Sequence, residues 1–173
     1  MLDDLIALGK YRWAVPLLTD LAAREGARFV ELLHRLQIPR ESLSRTLEGA
    51  AAMGWIMRNP GHGHPLRPEY VLTAGGRRLA TKAAEINAVQ RRLGIVPSAM
   101  TRWSLPIIRS VADGNLRFND LARAIPPVGP RALSQGLRAL TGQLLISREL
   151  LDLYPPSSQY SLTKTGLILA EAA

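Results

Sequence analysis

The stretch Arg117-Phe-Asn-Asp-Leu-Ala-Arg-Ala-Ile-Pro-Pro-Val-Gly-Pro-Arg-Ala-Leu-Ser-Gln-Gly-Leu-Arg138 predicts two short helices with a proline-rich connection between them. Leu133, Leu137 and Leu140 recur at i, i+4 and i+7, the spacing of one apolar helix face. The proline pair in the middle separates the helices, because proline lacks a backbone donor and restricts the residue before it. Two short helices, the second with a polar outer face, are typical of a helix-turn-helix.

The sequence on both sides of this stretch completes a winged helix. A helix is predicted near 102–112, ahead of the stretch, and strands are predicted near 145–151 and 158–162, after it. The strands and the loop between them make a β-hairpin. Three helices followed by a hairpin form the winged helix, whose third helix is placed to enter a DNA major groove.

The same pattern occurs earlier in the chain at an offset of 90 residues. Trp13-Ala-Val-Pro16 recurs as Trp103-Ser-Leu-Pro106, and Tyr70-Val-Leu-Thr73 recurs as Tyr160-Ser-Leu-Thr163. A match of this length at one offset indicates an internal duplication. The first copy is predicted to contain helices at 12–24, 28–36 and 40–53 and strands at 55–57 and 69–73.

The duplication predicts a mainly helical chain with small β-hairpins (α+β), built as tandem winged helix-turn-helix domains. We expect domain 1 at residues 1–76, a connecting helix within 77–97 and domain 2 at 98–173. Gly75-Gly76 is interpreted as a single turn ahead of that helix, which runs from Arg77 to Leu93 and ends at glycine and proline. The two domains are expected to form a pseudo-dimer with pseudo-two-fold symmetry.

Composition favours a folded protein with an anionic partner. Among 173 residues, 22 Lys+Arg outnumber 14 Asp+Glu, giving a formal net charge of +8. The absence of cysteine excludes disulfides, thiolate metal ligands and cysteine nucleophiles. No apolar run reaches the length of a membrane span, and Met1-Leu-Asp-Asp4 is acidic where an export signal would be basic. We therefore expect a cytoplasmic, nucleoid-associated protein with no membrane partner.

The outer face of each third helix supplies candidate DNA-reading residues. Arginine can pair with guanine, glutamine with adenine, and serine with a base or a phosphate. The second copy offers Arg131, Ser134, Gln135 and Arg138, and the first offers Arg40, Ser44 and Arg45. The first copy also carries Glu41 and Glu48, which would repel phosphates. Polar helix positions taken alone are usually solvated faces, whereas their place in two helix-turn-helix units favours contact.

The two hairpins, or wings, differ in charge. The first wing carries Arg58, His62, His64 and Arg67, which can contact phosphates or lie by a minor groove. The second wing, residues 149–158, is acidic and apolar. It is a poor phosphate binder and suits packing on its own domain, the other domain, a dimer partner or a ligand.

No motif for catalysis or for a cofactor appears in the sequence. His62 and His64 are two residues apart on a hairpin, but a zinc site needs three or four ligands. The third histidine, His34, falls in a different element. We therefore predict no metal site, no cofactor and no enzyme activity.

Both copies resemble the HxlR family of bacterial winged-helix transcription regulators, and the resemblance covers about 85–90% of the chain. The matching motifs stand in the same order twice. They are Lys10-Tyr-Arg-Trp13 and Thr101-Arg-Trp103; Arg28-Phe-Val-Glu-Leu32 and Arg117-Phe-Asn-Asp-Leu121; Ile125 to Arg138; and Tyr70 to Gly76 and Tyr160 to Gly166.

The resemblance implies promoter DNA binding, with Ser134, Gln135 and Arg138 in the family's reading positions. Three departures carry consequences. Family members usually have one such domain per chain and dimerise, so two fused domains imply a covalent pseudo-dimer. A basic residue often precedes the second recognition-helix leucine, where this chain has Thr46 and Gly136, and this lowers the expected DNA affinity. Some relatives sense electrophiles through a cysteine, which this chain lacks.

The leading interpretation is a transcriptional regulator that binds double-stranded DNA through two non-identical winged helices. Its half-sites would lie about 34 Å apart, one helical turn of DNA. One alternative is a protein-interaction module built from tandem winged helices. Another is a regulator whose DNA affinity is set by a small apolar effector at the domain interface. The chain is expected to act as a monomeric pseudo-dimer or as a homodimer.

Overall fold

The computed structural model describes residues 1–59, 69–151 and 157–173. The chain divides into two compact units, each containing one copy of the repeat. Tyr11–Ala88 form one unit, called here the inserted unit. Met1–Lys10 and Val89–Ala173 together form the other, called the split unit.

The helices and strands follow the order expected for two winged helices. The helices are α1 (Leu2–Gly9), α2 (Ala14–Arg24), α3 (Phe29–Leu36), α4 (Arg40–Ala52), α5 (Ala74–Arg92), α6 (Ser104–Ala112), α7 (Phe118–Ala124), α8 (Pro130–Gly142) and α9 (Lys164–Ala172), with a 3₁₀ turn at Pro97–Ala99. The strands are β1 (Ala27–Arg28), β2 (Ile56–Asn59), β3 (Glu69–Leu72), β4 (Ile146–Leu151) and β5 (Ser157–Leu162). This order confirms the predicted mainly helical fold with small β-hairpins.

In each unit the hairpin follows three helices along the chain. In the inserted unit, the antiparallel sheet has the strand order β1-β3-β2, with Ile56 opposite Leu72. The split unit pairs β4 with β5 and sets Ile146 opposite Leu162. The counterpart of β1 is there reduced to one bridge between Arg117 and Gln159. The two hairpins therefore share the same register at an offset of 90 residues.

The cores are formed by the apolar faces of the helices. Leu17, Leu21 and Leu43 are buried in the inserted unit. In the split unit, Ile107 and Leu133 are buried in the same way. Because leucine and isoleucine lose most of their apolar area to the interior, each core stabilises its unit by about 2 kcal/mol per buried side chain before entropy is subtracted.

A threonine cap and a glycine fix the helix that follows each hairpin. The Thr73 hydroxyl accepts from the backbone N–H of Gly76 at 3.0 Å and donates to the Gly54 carbonyl at 2.6 Å. Thr163 makes the same two contacts, with Gly166 at 3.1 Å and with the Leu144 carbonyl at 2.6 Å. A threonine side chain at this position satisfies an N–H that the first helical turn leaves free.

The interpretation of Gly75-Gly76 as a turn before the connecting helix was wrong. Both glycines lie in the first turn of α5, which begins at Ala74 and not at Arg77. The Thr73 cap starts the helix early, and Gly76 is needed there for space. A Cβ on Gly76 would lie 1.8 Å from the Trp55 carbonyl oxygen, and one on Gly166 would lie 2.0 Å from that of Leu145.

Helix α1 belongs to the split unit although it precedes the first copy of the repeat. It packs against α6, and its Leu5 and Leu8 side chains are buried. Gly9 lies against the backbone carbonyl of Arg102, where a Cβ would come within 2.0 Å of the oxygen. The second copy therefore has a helix in its core that the repeat itself does not contain.

An ion pair joins α2 to α3 in the inserted unit. The Arg35 guanidinium donates from Nε to Asp20 Oδ1 at 3.0 Å and from Nη2 to Asp20 Oδ2 at 2.7 Å. The hydrogen bonds to Asp20 raise the pKa of Arg35 above its usual value, so the guanidinium stays charged at any physiological pH. The side chains are 24% and 13% exposed, which makes this pair more shielded than the other ion pairs among the described residues.

Asp20→Ala is expected to lower the free energy of unfolding of the inserted unit by about 1–2 kcal/mol, because Arg35 loses a two-pronged partner in a half-buried setting. The matched control is Asp113→Ala, which breaks the more exposed pair with Arg109 at the C-terminal end of α6 and is expected to cost no more than about 0.5 kcal/mol. Hydrogen exchange of the two units reports both changes. Equal losses for the two variants would contradict the expectation.

Candidate nucleic-acid interface

Helix α8 separates its apolar and polar residues cleanly. Leu133, Leu137 and Leu140 are buried in the split unit. The opposite side carries four exposed residues, called here the α8 polar face: Arg131, Ser134, Gln135 and Arg138. The structure thus brings all four predicted reading residues of the second copy onto one open helix face.

Helix α4 of the inserted unit presents a more mixed face. Arg40 and Arg45 are exposed and Ser44 is half-buried, and the same face carries exposed Glu41 and Glu48. The Arg40 guanidinium lies 4.9 Å from the centre of the Phe29 ring, in a cation–π contact. Arg40 is thus held at the start of α4, and the two carboxylates offset the charge of the arginines.

The two positions before the second recognition-helix leucine, where the family often has a basic residue, are buried in this structure. Thr46 is buried, and its hydroxyl donates to the Ser42 carbonyl at 2.7 Å. Gly136 is buried too, and a Cβ there would lie 2.6 Å from Ile107 Cδ1. Both positions face the core of their unit. The lack of a basic residue there therefore does not lower the number of positive charges on the polar faces of α4 and α8.

The first wing holds one described candidate. Arg58 on β2 is exposed, and its guanidinium carbon lies 5.8 Å from the centre of the Tyr70 ring on the facing strand. The other wing candidates, His62, His64 and Arg67, lie outside the described residues. Across the described parts of the chain, no group of three or more His, Asp or Glu side chains is placed to hold a metal ion.

The second wing contains a basic residue that the sequence interpretation missed. Arg148 on β4 is exposed and sits opposite Tyr160, as Arg58 sits opposite Tyr70. Its guanidinium donates to the Ser158 hydroxyl from Nε at 3.0 Å and from Nη2 at 2.8 Å. Arg148 lies 90 residues after Arg58, so the repeat itself indicates it, although it precedes the wing residues 149–158 considered from the sequence.

A family model of HxlR-like helix-turn-helix proteins matches the chain twice, over residues 8–93 and 99–172. The two matches together cover most of the sequence. The chain belongs to the HxlR-like helix-turn-helix family. Both copies carry the match, so the HxlR-like chain contains two tandem winged helix-turn-helix units, as the duplication predicted.

Several curated proteins are similar to parts of this HxlR-like chain. An uncharacterized HTH-type transcriptional regulator of Methanothermobacter thermautotrophicus is 37% identical over 65 residues, which is 38% of this chain and 50% of that protein. The regulator YtfH of Escherichia coli is 32% identical over 77 residues, covering 44% of this chain and 61% of YtfH. YodB of Bacillus subtilis, named as an HTH-type transcriptional regulator, is 31% identical over 68 residues, covering 39% and 61%.

The similarity to these relatives is partial, but their names agree. The HxlR-like chain spans only about half to three-fifths of the length of each relative. The relatives are named as regulators of transcription in bacteria and in an archaeon, which supports the expectation that the chain is not an enzyme. None of the described helices is both long and apolar enough to cross a membrane.

Proposed function

We propose that this HxlR-like chain is a transcriptional regulator that binds double-stranded DNA. The observation that carries the proposal is the α8 polar face, where Arg131, Ser134, Gln135 and Arg138 are exposed in front of a fully buried leucine row. A recognition helix reads base edges with such side chains while its rear face anchors it in the domain. With this partner, the protein would act in the cytoplasm, on the chromosome.

The two units are proposed to contact DNA unequally. The α8 polar face carries two arginines and no carboxylate. In contrast, the α4 face combines Arg40, Ser44 and Arg45 with two glutamates. Because carboxylates oppose the approach of phosphates, α8 supplies most of the base reading and α4 the weaker half of the site. An operator for this protein therefore has two unlike half-sites.

Two experiments test the proposed DNA binding. Duplexes are first selected from a random pool, and the selected duplex is then titrated by anisotropy at several salt concentrations. We expect a selected duplex to bind with a Kd of about 10 nM, and a scrambled duplex at least about a thousandfold more weakly. The logarithm of the affinity should fall linearly with the logarithm of salt, by about 0.9 for each phosphate neutralised. Failure to enrich any duplex, with the protein folded, would overturn the proposal.

A second candidate function is an assembly module that binds another protein. Leu150 on the second wing is 72% exposed, and apolar side chains at a wing suit a protein partner better than a phosphate backbone. A stable complex that forms without DNA, together with failure of duplex selection, would favour this function. The mass of the free chain in solution separates a monomeric pseudo-dimer from a homodimer.

A further inference from the structure

A groove of about 500 Å³ lies in the split unit between the start of α7 and the β4–β5 hairpin. Residues from both elements form its walls. Those with charged or hydrogen-bonding groups include Arg117, Asp120, Arg123, Arg148, Ser158 and Tyr160. None of the three arginines is among the residues proposed above to contact DNA. The groove is therefore a separate feature of this unit.

Positive charge dominates the groove. Arg123 pairs with Asp120, the one carboxylate in the described wall. Arg148 is held by the neutral Ser158 hydroxyl, and Arg117 is exposed with no ion-pair partner among the residues that the structure describes. Three arginines and one carboxylate thus line the described walls of the groove. The excess of two positive charges attracts an anion, and planar guanidinium groups bind phosphate oxygens in pairs.

The corresponding place in the inserted unit does not have this charge. Arg28, Arg58 and Tyr70 recur there, but His34 stands where the split unit has Arg123. Glu31 corresponds to Asp120, and its Oε2 accepts from the Arg28 backbone N–H at 2.8 Å. One arginine is lost, which lowers the excess from two positive charges to one. The larger positive excess is thus a property of one copy and not of the repeat in general.

We infer that this groove binds a phosphate group, and that the backbone of the bound DNA supplies it. The second half of the inference rests on the proposed function. Helix α7 leads directly into α8, and α8 packs against β4, which carries Arg148. A phosphate gripped between α7 and the hairpin would fix the position of the duplex against the unit that carries the α8 polar face. Contacts of this kind set register and orientation without reading sequence.

The first arm of the test uses inorganic phosphate and the full chain without DNA. Nitrogen–proton NMR of arginine side chains is recorded while phosphate replaces chloride at constant ionic strength. We expect saturable shifts in the signals of Arg117 and Arg148, and a dissociation constant at least about fivefold higher in Arg148→Gln. Arg78→Gln, an exposed charge change on α5 outside the groove, is the matched control and should leave these shifts unchanged.

The second arm measures DNA binding against salt for the same variants. Arg148→Gln is expected to lower the affinity for selected and scrambled duplexes by the same factor, about tenfold. It should also reduce the slope of log affinity against log salt by about 0.9, the value for one phosphate. Arg148→Lys keeps the charge and should restore most of the slope while losing the paired geometry. The melting temperature of each variant is measured alongside, to show that the unit remains folded.

The possible outcomes separate the inference from the function on which it rests. Saturable phosphate binding with an unchanged DNA slope would overturn the DNA source and assign the groove to a free phosphorylated molecule. Absence of phosphate shifts at the groove, with an unchanged slope, would overturn the site while leaving DNA binding intact. If the unaltered chain enriches no duplex, both the proposed function and the DNA source of the phosphate fail, and the first arm alone decides whether the groove binds phosphate.

Discussion

Gly76→Ala is expected to lower the free energy of unfolding of the inserted unit by about 3 kcal/mol or more. The added Cβ would stand 1.8 Å from the Trp55 carbonyl oxygen and 2.7 Å from its carbon. These are backbone atoms, and the same carbonyl accepts the Thr73 backbone N–H at 3.0 Å. No side-chain rotation relieves the contact, so α5 must move away from the hairpin and the hydrogen bonds around Thr73 must lengthen.

The neighbouring glycine provides the matched control. A Cβ on Gly75 would meet only the Thr73 hydroxyl, at 3.8 Å, which is ordinary contact. Alanine is the better helix former, so Gly75→Ala is expected to stabilise α5 by about 0.5–1 kcal/mol. Hydrogen exchange followed by mass spectrometry assigns each change to its unit. If Gly76→Ala exchanges no faster than Gly75→Ala, the close approach seen between α5 and the hairpin does not exist in solution.

Replacing Gln135 and Arg138 together by alanine is expected to weaken binding of a selected duplex by about 2–5 kcal/mol, a loss of roughly 30-fold to several thousandfold. Both side chains are exposed on the α8 polar face, one helical turn apart, and neither supports the core. A bidentate contact from each to a base edge is worth about 1–3 kcal/mol of discrimination. Affinity for the selected duplex should approach that for the scrambled one, while stability stays unchanged.

The first copy supplies the control for this prediction. Glu48 occupies on α4 the place that Arg138 occupies on α8, and it is exposed as well. Glu48→Ala removes a carboxylate from the mixed face, so it should strengthen binding of selected and scrambled duplexes by a similar, modest factor. Anisotropy titrations of both variants at one salt concentration make the comparison. A large loss for Glu48→Ala, or an unchanged preference for the selected duplex in the double variant, would reverse the roles assigned to the two helices.

The sequence predicted well those features that depend on residues close together in the chain. Leucine spacing and proline placed α4 and α8 to within about a residue, because an apolar face and a chain break are both written in neighbouring positions. It placed the α8 polar face correctly for the same reason. The residues assigned to core and solvent on one helix follow directly from its period.

What the sequence left open depends on distant partners. The amphipathic pattern of α1 shows that Leu5 and Leu8 need a core but not which core, and packing against α6 answers this. The early start of α5 required knowledge that Gly76 touches Trp55. The groove joins Arg117 and Arg148, which are 31 positions apart, so only the folded hairpin reveals that both arginines line the same groove. The expected DNA contacts of both faces stay predictions.

The place of α1 in the split unit has a consequence for folding during synthesis. Residues 1–10 are made before the inserted unit, but the surface on α6 that buries Leu5 and Leu8 is made after it. The inserted unit is one continuous stretch of chain and can fold during synthesis, whereas residues 1–10 must wait for more than 90 further residues before α6 is made. During that interval its leucines face water and are available to chaperones. Within residues 1–173, the split unit can therefore be completed only after the inserted unit has been made, because its two parts flank that unit in the chain.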